Sequence, residues 1–580
     1  MTHSTQRPRQ SKVIPMANKP NLPVTPARDT EVDILIVGSG SGMTAALSAK
    51  EAGLSALIIE KSTYVGGSTA LSGGAFWVPG NSVLREAGAD VDQDRAHLYL
   101  KTLVGDSAPQ ERWEAYLEHG PATVDLLKRM TPLEFMWCKD YSDYHSELPG
   151  AAPSSRSIES KPFNASILGN ERGRVLTSTF GSPIPMPVTG VDYKWMNLMA
   201  KVPQRGLVKS AMRAAQGIGG LAIKKEFLAG GQALGNGLYA GVLRAGVPVW
   251  TETELIDLIE EDGKVVGVIA EQHGKQVTIR ARKGVILSAG GFDHNKAMRQ
   301  KYEDEFFTGE WSFGNEHNTG DAITIAQKHG ADTDLMDQVW WFPAISPLTE
   351  GGAPIVMLAE RSLPGSFIVG GDGKRFINES VDYMSYGQYV LEREKAGDPI
   401  GDTWIIFDQE YRNSYIFGAM AFPRAPLPQA WYDAGIAFKA ESAAELAQQI
   451  GVPADALTAQ VDRFNGFARA GRDDDFNRGA AAYDRYYGDP TITPNPNLRA
   501  LKGTLYAVKM VTGDLGTCGG LKADENARVL NTSGAPIEGL YATGNTAANA
   551  FGNRYPGAGA TIGQGMVFSH IAVQHAKNRG

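Results

Sequence analysis

The chain has 580 residues, 42% of them hydrophobic and 21% charged, with a formal net charge of −8. That length exceeds one ordinary core and predicts two domains, and the acidic balance argues against a general nucleic-acid binder. Two cysteines, Cys138 and Cys518, exclude a disulfide framework and a cysteine-rich zinc site, which suits a reducing cytoplasm.

Residues 1–30 are polar and proline-bearing, lack the apolar core of a secretory signal, and read as a flexible tail. No stretch approaches the ~18–20 uninterrupted apolar residues of a membrane-spanning helix. The run Val32–Val37 is apolar and β-branched and predicts a buried parallel strand. The glycine turn Gly38-Ser39-Gly40-Ser41-Gly42 follows, then an Ala-rich helical stretch from Met43 to Ala52, and a second strand, Ala56–Ile59, ending in Glu60 and Lys61. Glycines let the backbone approach a pyrophosphate, the helix N-terminus offers free N–H groups to it, and the acid takes the ribose hydroxyls. Met43 stands where the third glycine of a G-x-G-x-x-G spacing belongs, so the turn closes differently or its register is one residue short.

A second glycine block, Gly66-Gly67-Ser68-Thr69-Ala70-Leu71-Ser72-Gly73-Gly74, follows directly. A nicotinamide enzyme does not need it. The longer flavin dinucleotide does, which predicts FAD bound by a Rossmann-like α/β domain. From Asp94 to Met130 the periodicity is helical, and an aromatic cluster follows (Phe135, Trp137, Tyr141, Tyr144, His145) that reads as a core edge or a lid loop.

Residues 150–228 form a loop-rich and then basic stretch. Between Lys194 and Lys225 there are seven basic residues and no acidic one, interleaved with apolar residues such as Met199, Leu207 and Ile218. A membrane-interface helix and an ordinary surface helix both fit this pattern, although Gly217, Gly219 and Gly220 argue against one long helix. The interfacial reading predicts binding to anionic liposomes that high salt abolishes.

Further along, Gly284–Ser288 is a strand leading into Ala289-Gly290-Gly291, suited to covering part of the dinucleotide. Asp321 opens a helix as a cofactor contact or as part of its cap. Glycine turns return near Leu515, and Gly544 and Asn545 follow another apolar strand. The nucleotide domain is therefore read as discontinuous, residues 31–343 and 516–580, with an α+β catalytic domain, residues 344–515, inserted in it.

These blocks together resemble the flavoprotein superfamily of succinate dehydrogenases, fumarate reductases and 3-ketosteroid dehydrogenases. Three stretches are similar to the ketosteroid Δ1-dehydrogenases in particular: Tyr555-Pro556-Gly557-Ala558-Gly559, the run Gly373–Ser380 with Tyr383 behind it, and Gly73–Pro79. The resemblance implies a 3-ketosteroid substrate losing hydrogens from C1 and C2, a 1,2-dehydrogenation. Its choice of C1–C2 over C4–C5 rests on resemblance alone. It implies Tyr555 and the Gly559 N–H as donors to the C3 carbonyl, Tyr383 as the base at C2, and Tyr144, with Tyr141 the alternative, as the residue assisting that base. Gly559, Thr561 and Ile562 then line the cofactor at the start of the last helix, read as Ile562 to about Lys577. No histidine lies between Gly66 and Pro79, so FAD is expected to be non-covalent. The expected partners are the steroid and a quinone or other electron acceptor, with no nucleic acid and no metal, and the location is cytoplasmic or peripheral on the inner face of a membrane. Arg554 keeps a fumarate-reductase-like enoate reductase in view, and a non-catalytic flavin electron carrier is the alternative from another class.

Overall fold

A computed structural model describes residues 22–89, 91–154, 156–177, 185–303 and 311–579. The first strand opens two residues before Val32, as Thr30–Val37, because Thr30 and Glu31 already pair with Ile279 and Arg280. It lies parallel to Ala56–Ile59 on one side and to Lys275–Leu287 on the other. Val249–Trp250 extends the sheet beyond Ala56–Ile59, and Pro536–Ala542 pairs in parallel with the end of Lys275–Leu287. Before joining this set, Lys275–Leu287 runs antiparallel to Lys264–Gln272, which pairs with Thr253–Glu261 across the turn Asp262-Gly263.

A parallel sheet must be covered on both faces. Strand alternation does this here: Ile34, Ile36, Ile58 and Ile286 enter one core, while Leu35, Val37, Leu57 and Leu287 enter another. On the first face the helices Gly42–Glu51 and Ala560–Lys577 lie together, and Ser48 Oγ meets His570 Nδ1 at 2.8 Å.

The second sheet is antiparallel, in the order Ile355–Val356, Val339–Ile345, Leu505–Thr517, Thr403–Asp408, Ser366–Val369, with Ala437–Ala440 also paired to Leu505–Thr517. Helices Ala443–Ile450 and Ala454–Ala470 cover one of its faces. Its strand Val339–Ile345 begins ahead of residue 344, because it pairs with Leu505–Thr517. Pro536–Ala542 then returns to the first sheet, which is thus assembled from separated stretches of chain.

Of the expected tail, residues 1–21 lie outside the described residues. The segment just before the first strand is tied down: the Ala27 N–H donates to Gln272 Oε1 at 2.7 Å, and Gln272 and Arg174 donate to the carbonyls of Thr25 and Pro23. Residues 23–27 are therefore tied to the folded unit and are not a free tail, held by the Pro23 and Thr25 carbonyls and the Ala27 N–H.

The basic stretch forms two helices, Gly190–Asn197 and Pro203–Ala222. The glycines do not interrupt the second. Gly206, Gly217 and Gly220 are its buried residues, and a Cβ on Gly217 would collide with the Pro185 carbonyl. These glycines let the helix lie close on the protein, and Lys209 and Arg213 face the same way, while Arg205, Lys224 and Lys225 are exposed. Lys209 and Arg213 donate to the buried carboxylate of Asp192 at 2.7 and 2.6 Å, and Lys194 and Arg205 lie over the rings of Tyr486 and Trp195. The apolar side chains point outward: Leu207, Val208, Ile218 and Leu221 are each more than half exposed. The amphipathic pattern is real, but its basic side is the one spent on the protein.

Candidate active site

The glycine turn crosses the ends of two parallel strands. Gly38 has φ +100°, and a Cβ there would collide with the Ser288 carbonyl. The third-glycine role falls to Gly42, where a Cβ would stand 2.7 Å from Ile36 Cγ2, so helix and strand pack closely one residue earlier than the usual spacing. Of the two readings of Met43, the shortened register is the one observed; Met43 itself is buried.

The Glu60 carboxylate faces this turn. It accepts from the Ser39 N–H at 3.0 Å, the Ser39 hydroxyl at 2.6 Å and the Ser62 N–H at 2.9 Å. Ser39 in turn accepts from the Gly66 N–H at 3.0 Å, which joins the two glycine blocks. Gly40 and Gly67 lie face to face with no side chain between them. The Ser68 hydroxyl accepts from the Asn315 N–H and from Asn318 Nδ2, and Lys61 bonds Thr319 at 2.6 Å and pairs with Asp321. Gly320 is the helix cap, so Asp321 acts in the first turn as the partner of Lys61. Ser41 Oγ meets Ser288 Oγ at 2.9 Å, a Cβ on Gly544 would stand 3.0 Å from Ser41 Oγ, and Thr546 Oγ1 donates to the Gly290 carbonyl. Segments separated by hundreds of residues thus converge on one concave surface of bare backbone and hydroxyls around Ala289, Gly290, Gly544 and Asn545. Ser72 Oγ donates to the Thr69 carbonyl, and a Cβ on Gly74 would collide with the backbone of Gly230. The donor set fits a dinucleotide, with a carboxylate placed for ribose and unsubstituted backbone placed for phosphates.

Against this cradle stand the tyrosines. Tyr144 donates to the Tyr383 hydroxyl at 2.9 Å, and the Tyr141 hydroxyl is 3.4 Å from that of Tyr144. The Tyr555 ring stacks on Tyr144 with centroids 5.2 Å apart and meets Tyr383 edge-on at 5.3 Å. All three of these rings are buried. Burial pushes the Tyr144 and Tyr383 phenols well above their usual range, and neighbouring tyrosines add to it. The bond from Tyr144 opposes the rise at Tyr383. Burial also raises Tyr555, restrained by hydrogen bonding with Thr561, whose Oγ1 lies 3.5 Å from its hydroxyl. No phenol here is lowered. The geometry supplies a chain of hydroxyls instead, from Tyr383 through Tyr144 to the half-buried Tyr141.

Local structure explains why these rings stay in place. The Pro556 carbonyl accepts from the Tyr99 hydroxyl at 2.7 Å and the Tyr144 N–H at 3.1 Å, and the Ala558 carbonyl accepts from Ser157 Oγ at 2.9 Å. Gly559 caps the last helix, Ala560–Lys577, with φ +80°; the helix starts two residues before Ile562 because that left-handed turn already closes it. Tyr383 opens the helix Tyr383–Lys395, capped by Asp382, whose side chain accepts from the Ser385 N–H. Behind it, Arg375 is bidentate to Glu379 at 2.6 and 2.8 Å and reaches Asp473, while Arg478 joins Glu379 at 3.1 Å, all four buried. The charged part of the Gly373–Ser380 run is therefore scaffolding for the loop that carries Tyr383.

Several contributors were not legible beforehand. Trp340 and Phe342 sit two residues apart on Val339–Ile345, hence on one face of the strand, and pack on Tyr555 and Tyr383 at 4.9 and 5.0 Å. Trp340 Nε1 also donates to Asn545 Oδ1 at 3.2 Å. Tyr483, Tyr486 and Tyr487 surround Tyr141; Tyr486 stacks on it at 4.4 Å. Their only sequence signal is the density of tyrosine in residues 483–487. Arg554 is half-buried, and Asn549 Nδ2 holds its carbonyl at 3.2 Å.

A cofactor cradle of this build beside a site of buried tyrosine hydroxyls defines a flavin-dependent oxidoreductase, and a family model for the FAD binding domain matches residues 33–562. A 3-oxosteroid 1-dehydrogenase of Mycolicibacterium smegmatis is 44% identical over 555 residues, covering 93% of this chain and 96% of that protein. The crystal structure of a 3-ketosteroid Δ1-dehydrogenase from Sterolibacterium denitrificans, in complex with 1,4-androstadiene-3,17-dione, superposes with a TM-score of 0.87 at 36% identity, covering 94% of this chain and 99% of that one. A 3-ketosteroid Δ4-(5α)-dehydrogenase from Rhodococcus jostii, at 23% identity and a TM-score of 0.65 over 95% and 98% of the two chains, shares the fold. The chain belongs to the FAD-dependent 3-oxosteroid 1-dehydrogenase family.

Proposed function

We propose that the protein dehydrogenates 3-ketosteroids between C1 and C2, turning a 3-oxo-Δ4-steroid into the 3-oxo-1,4-diene. The observation that carries this is the 2.9 Å bond from Tyr144 to Tyr383, with Tyr555 and the capping Gly559 beside it. A C–H next to a ketone is a feeble acid until donors hold its carbonyl oxygen in a way that favours the enolate. Tyr555 and the Gly559 N–H take that role at the C3 oxygen. Tyr383 removes the C2 proton, and Tyr144, by donating to the Tyr383 oxygen, steadies the tyrosinate that this requires and passes charge toward Tyr141. FAD held in the cradle would supply the hydride acceptor for C1 and the store of the electron pair for a quinone or other acceptor. Glu60 and the two glycine blocks hold the dinucleotide without a covalent link, and the division into a discontinuous FAD unit and an inserted catalytic unit places Tyr383 opposite Tyr555.

The test is anaerobic mixing of the oxidised holoprotein with androst-4-ene-3,17-dione and, separately, cholest-4-en-3-one, following flavin absorbance near ~450 nm. Rapid bleaching with a 1,4-diene product is expected. No bleaching with either removes this function.

We further propose that the outward apolar face of Pro203–Ala222 rests in a membrane interface and helps the enzyme collect poorly soluble sterols on the inner face. No described helix is long and apolar enough to span a membrane. Exposed Leu207, Val208, Met212, Ile218 and Leu221 support the reading, since burying such a side chain is worth up to about 1.5–3 kcal/mol. Lys209 and Arg213 are already paired with Asp192, so the expected salt sensitivity is revised downward. Leu207→Glu with Ile218→Glu should cut liposome partitioning more than tenfold, whereas high salt should change it little. Unchanged partitioning of that variant sinks the idea.

A further inference from the structure

Asp293 is a buried carboxylate that the reaction above does not use. Gly314 makes room for it, since a Cβ there would collide with Oδ2, and Gly291 and Gly516 lie beside Oδ1, where a Cβ would stand 3.4 or 3.7 Å away. Oδ2 accepts from Asn318 Nδ2 at 3.2 Å and from Ser312 Oγ at 3.4 Å. Oδ1 has no hydrogen-bond partner among the described residues. A carboxylate oxygen left bare in a protein interior is costly, and its persistence calls for a function.

Its position supplies one. Asn318, bonded to Oδ2, also holds Ser68 of the second glycine block and fills the space over Gly290. Gly516, on the Oδ1 side, lies against Asn545, a Cβ there being 2.9 Å from its Nδ2. Asn545 in turn accepts from Trp340, which packs on Tyr555. Asp293 is therefore linked, through Gly516, Asn545 and Trp340, to the end of the cradle where the tyrosines stand.

The surrounding charges leave Asp293 unbalanced. Asp514, from Leu505–Thr517, shares the Ser312 hydroxyl with it at 2.6 Å and is bonded to Arg299 at 2.8 Å. Arg299, on the helix Lys296–Tyr302, also pairs with Glu303 at its end, so its one charge is already engaged by other carboxylates. Arg299 and Asp514 cancel. His294 is the remaining cation candidate, its Nε2 3.9 Å away and partly exposed. The loop carrying Asn318 presents only an amide. Burial and the nearby Asp514 raise Asp293 to about 6, so it is mostly ionised in a neutral oxidised enzyme.

We infer that Asp293 is a positioning residue that sets the redox potential of the bound flavin, taking up one proton from solvent when the flavin is reduced. Flavin that has received a hydride carries negative charge, and two like charges repel strongly at low dielectric. Ionised Asp293 thus disfavours reduction, and reduction draws a proton onto its carboxylate, forming one O–H bond while the electron pair stays on the flavin. This rests on the cofactor orientation proposed above but not on the steroid.

Midpoint potentials of the holoprotein and of Asp293→Asn, measured from pH 5 to 8.5 by equilibration with reference dyes, test it without any substrate. At pH 8 the variant should favour the reduced flavin about tenfold more, ~30 mV for a two-electron couple, and the two proteins should converge at pH 5, where Asp293 is protonated in both redox states. Equal potentials at pH 8, or an offset that persists at pH 5, overturn the inference. The unaltered holoprotein gives an independent reading should the variant lose FAD. Its potential should fall by ~30 mV per pH unit where one proton accompanies two electrons and by about twice that just above pH 6. A uniform ~30 mV slope across the range also overturns it.

Discussion

Tyr383→Phe should bind FAD with an unchanged flavin spectrum and reduce it with steroid about 10²–10⁴ times more slowly, the usual worth of a positioned base. The ring keeps its packing against Phe342 and Tyr555, so the loss isolates the hydroxyl. Tyr144→Phe should do less at alkaline pH and more at neutral pH. The Tyr383 phenol is held well above its ordinary range by burial, so only a small fraction is ionised near neutrality, and the reduction rate should climb with pH. Tyr144 donates to the Tyr383 oxygen, which favours the charged form; removing that donor raises the phenol further and moves the rate profile to higher pH. Stopped-flow flavin reduction across pH 6–10 measures both effects. A Tyr144→Phe profile that merely drops, with no alkaline displacement, would assign Tyr144 to packing alone.

Gly559→Ala should abolish steroid-dependent reduction and lower the thermal midpoint together. Gly559 has φ +80°, and a Cβ there would collide with the Ala75 carbonyl and stand 2.8 Å from Phe76 Cα. Ala75–Trp77 is a strand paired with Ser157–Ser160, so it does not yield easily. The helix start must therefore move, taking with it the N–H proposed for the C3 oxygen, and loss of one such donor costs about 10²–10³ in rate. Gly534→Ala separates backbone strain from collision. Gly534 has φ +82° with nothing within 4 Å of its Cβ position, so that variant should cost about 1 kcal/mol with activity intact. Equal effects of the two substitutions, read by thermal unfolding and flavin reduction, would remove the argument from close approach.

Much of the cofactor site was legible in the linear chain because its contacts are made by backbone. A strand, a glycine turn and a helix follow one another within twenty residues, and the second glycine block is contiguous, so Gly38, Gly40, Glu60 and Gly66 could be named in advance. The resemblance to ketosteroid dehydrogenases carried Tyr383, Tyr555 and Gly559, since each sits in a short motif of glycine and proline. Tyr144 and Tyr141 were not separable, because both lie in one loop and only the partner from 239 residues away, Tyr383, distinguishes them.

The sequence by itself determined the elements and the chemistry that short-range spacing dictates: parallel strands from continuous apolar runs, a dinucleotide turn from adjacent glycines, helix ends from their caps. Tertiary structure alone decided orientation. The amphipathic period of Pro203–Ala222 is visible in the chain, yet which side meets the protein depended on Asp192, a single buried acid that pairs Lys209 and Arg213 inward and leaves the apolar face outside. The placement of Asp293 beside the cofactor cradle likewise depends on Gly314, in a separate segment, whose missing Cβ leaves space for its carboxylate. Periodicity fixes a face relative to its own helix or strand, whereas burial, charge pairing and a tyrosine's proton affinity depend on groups brought together only by the fold.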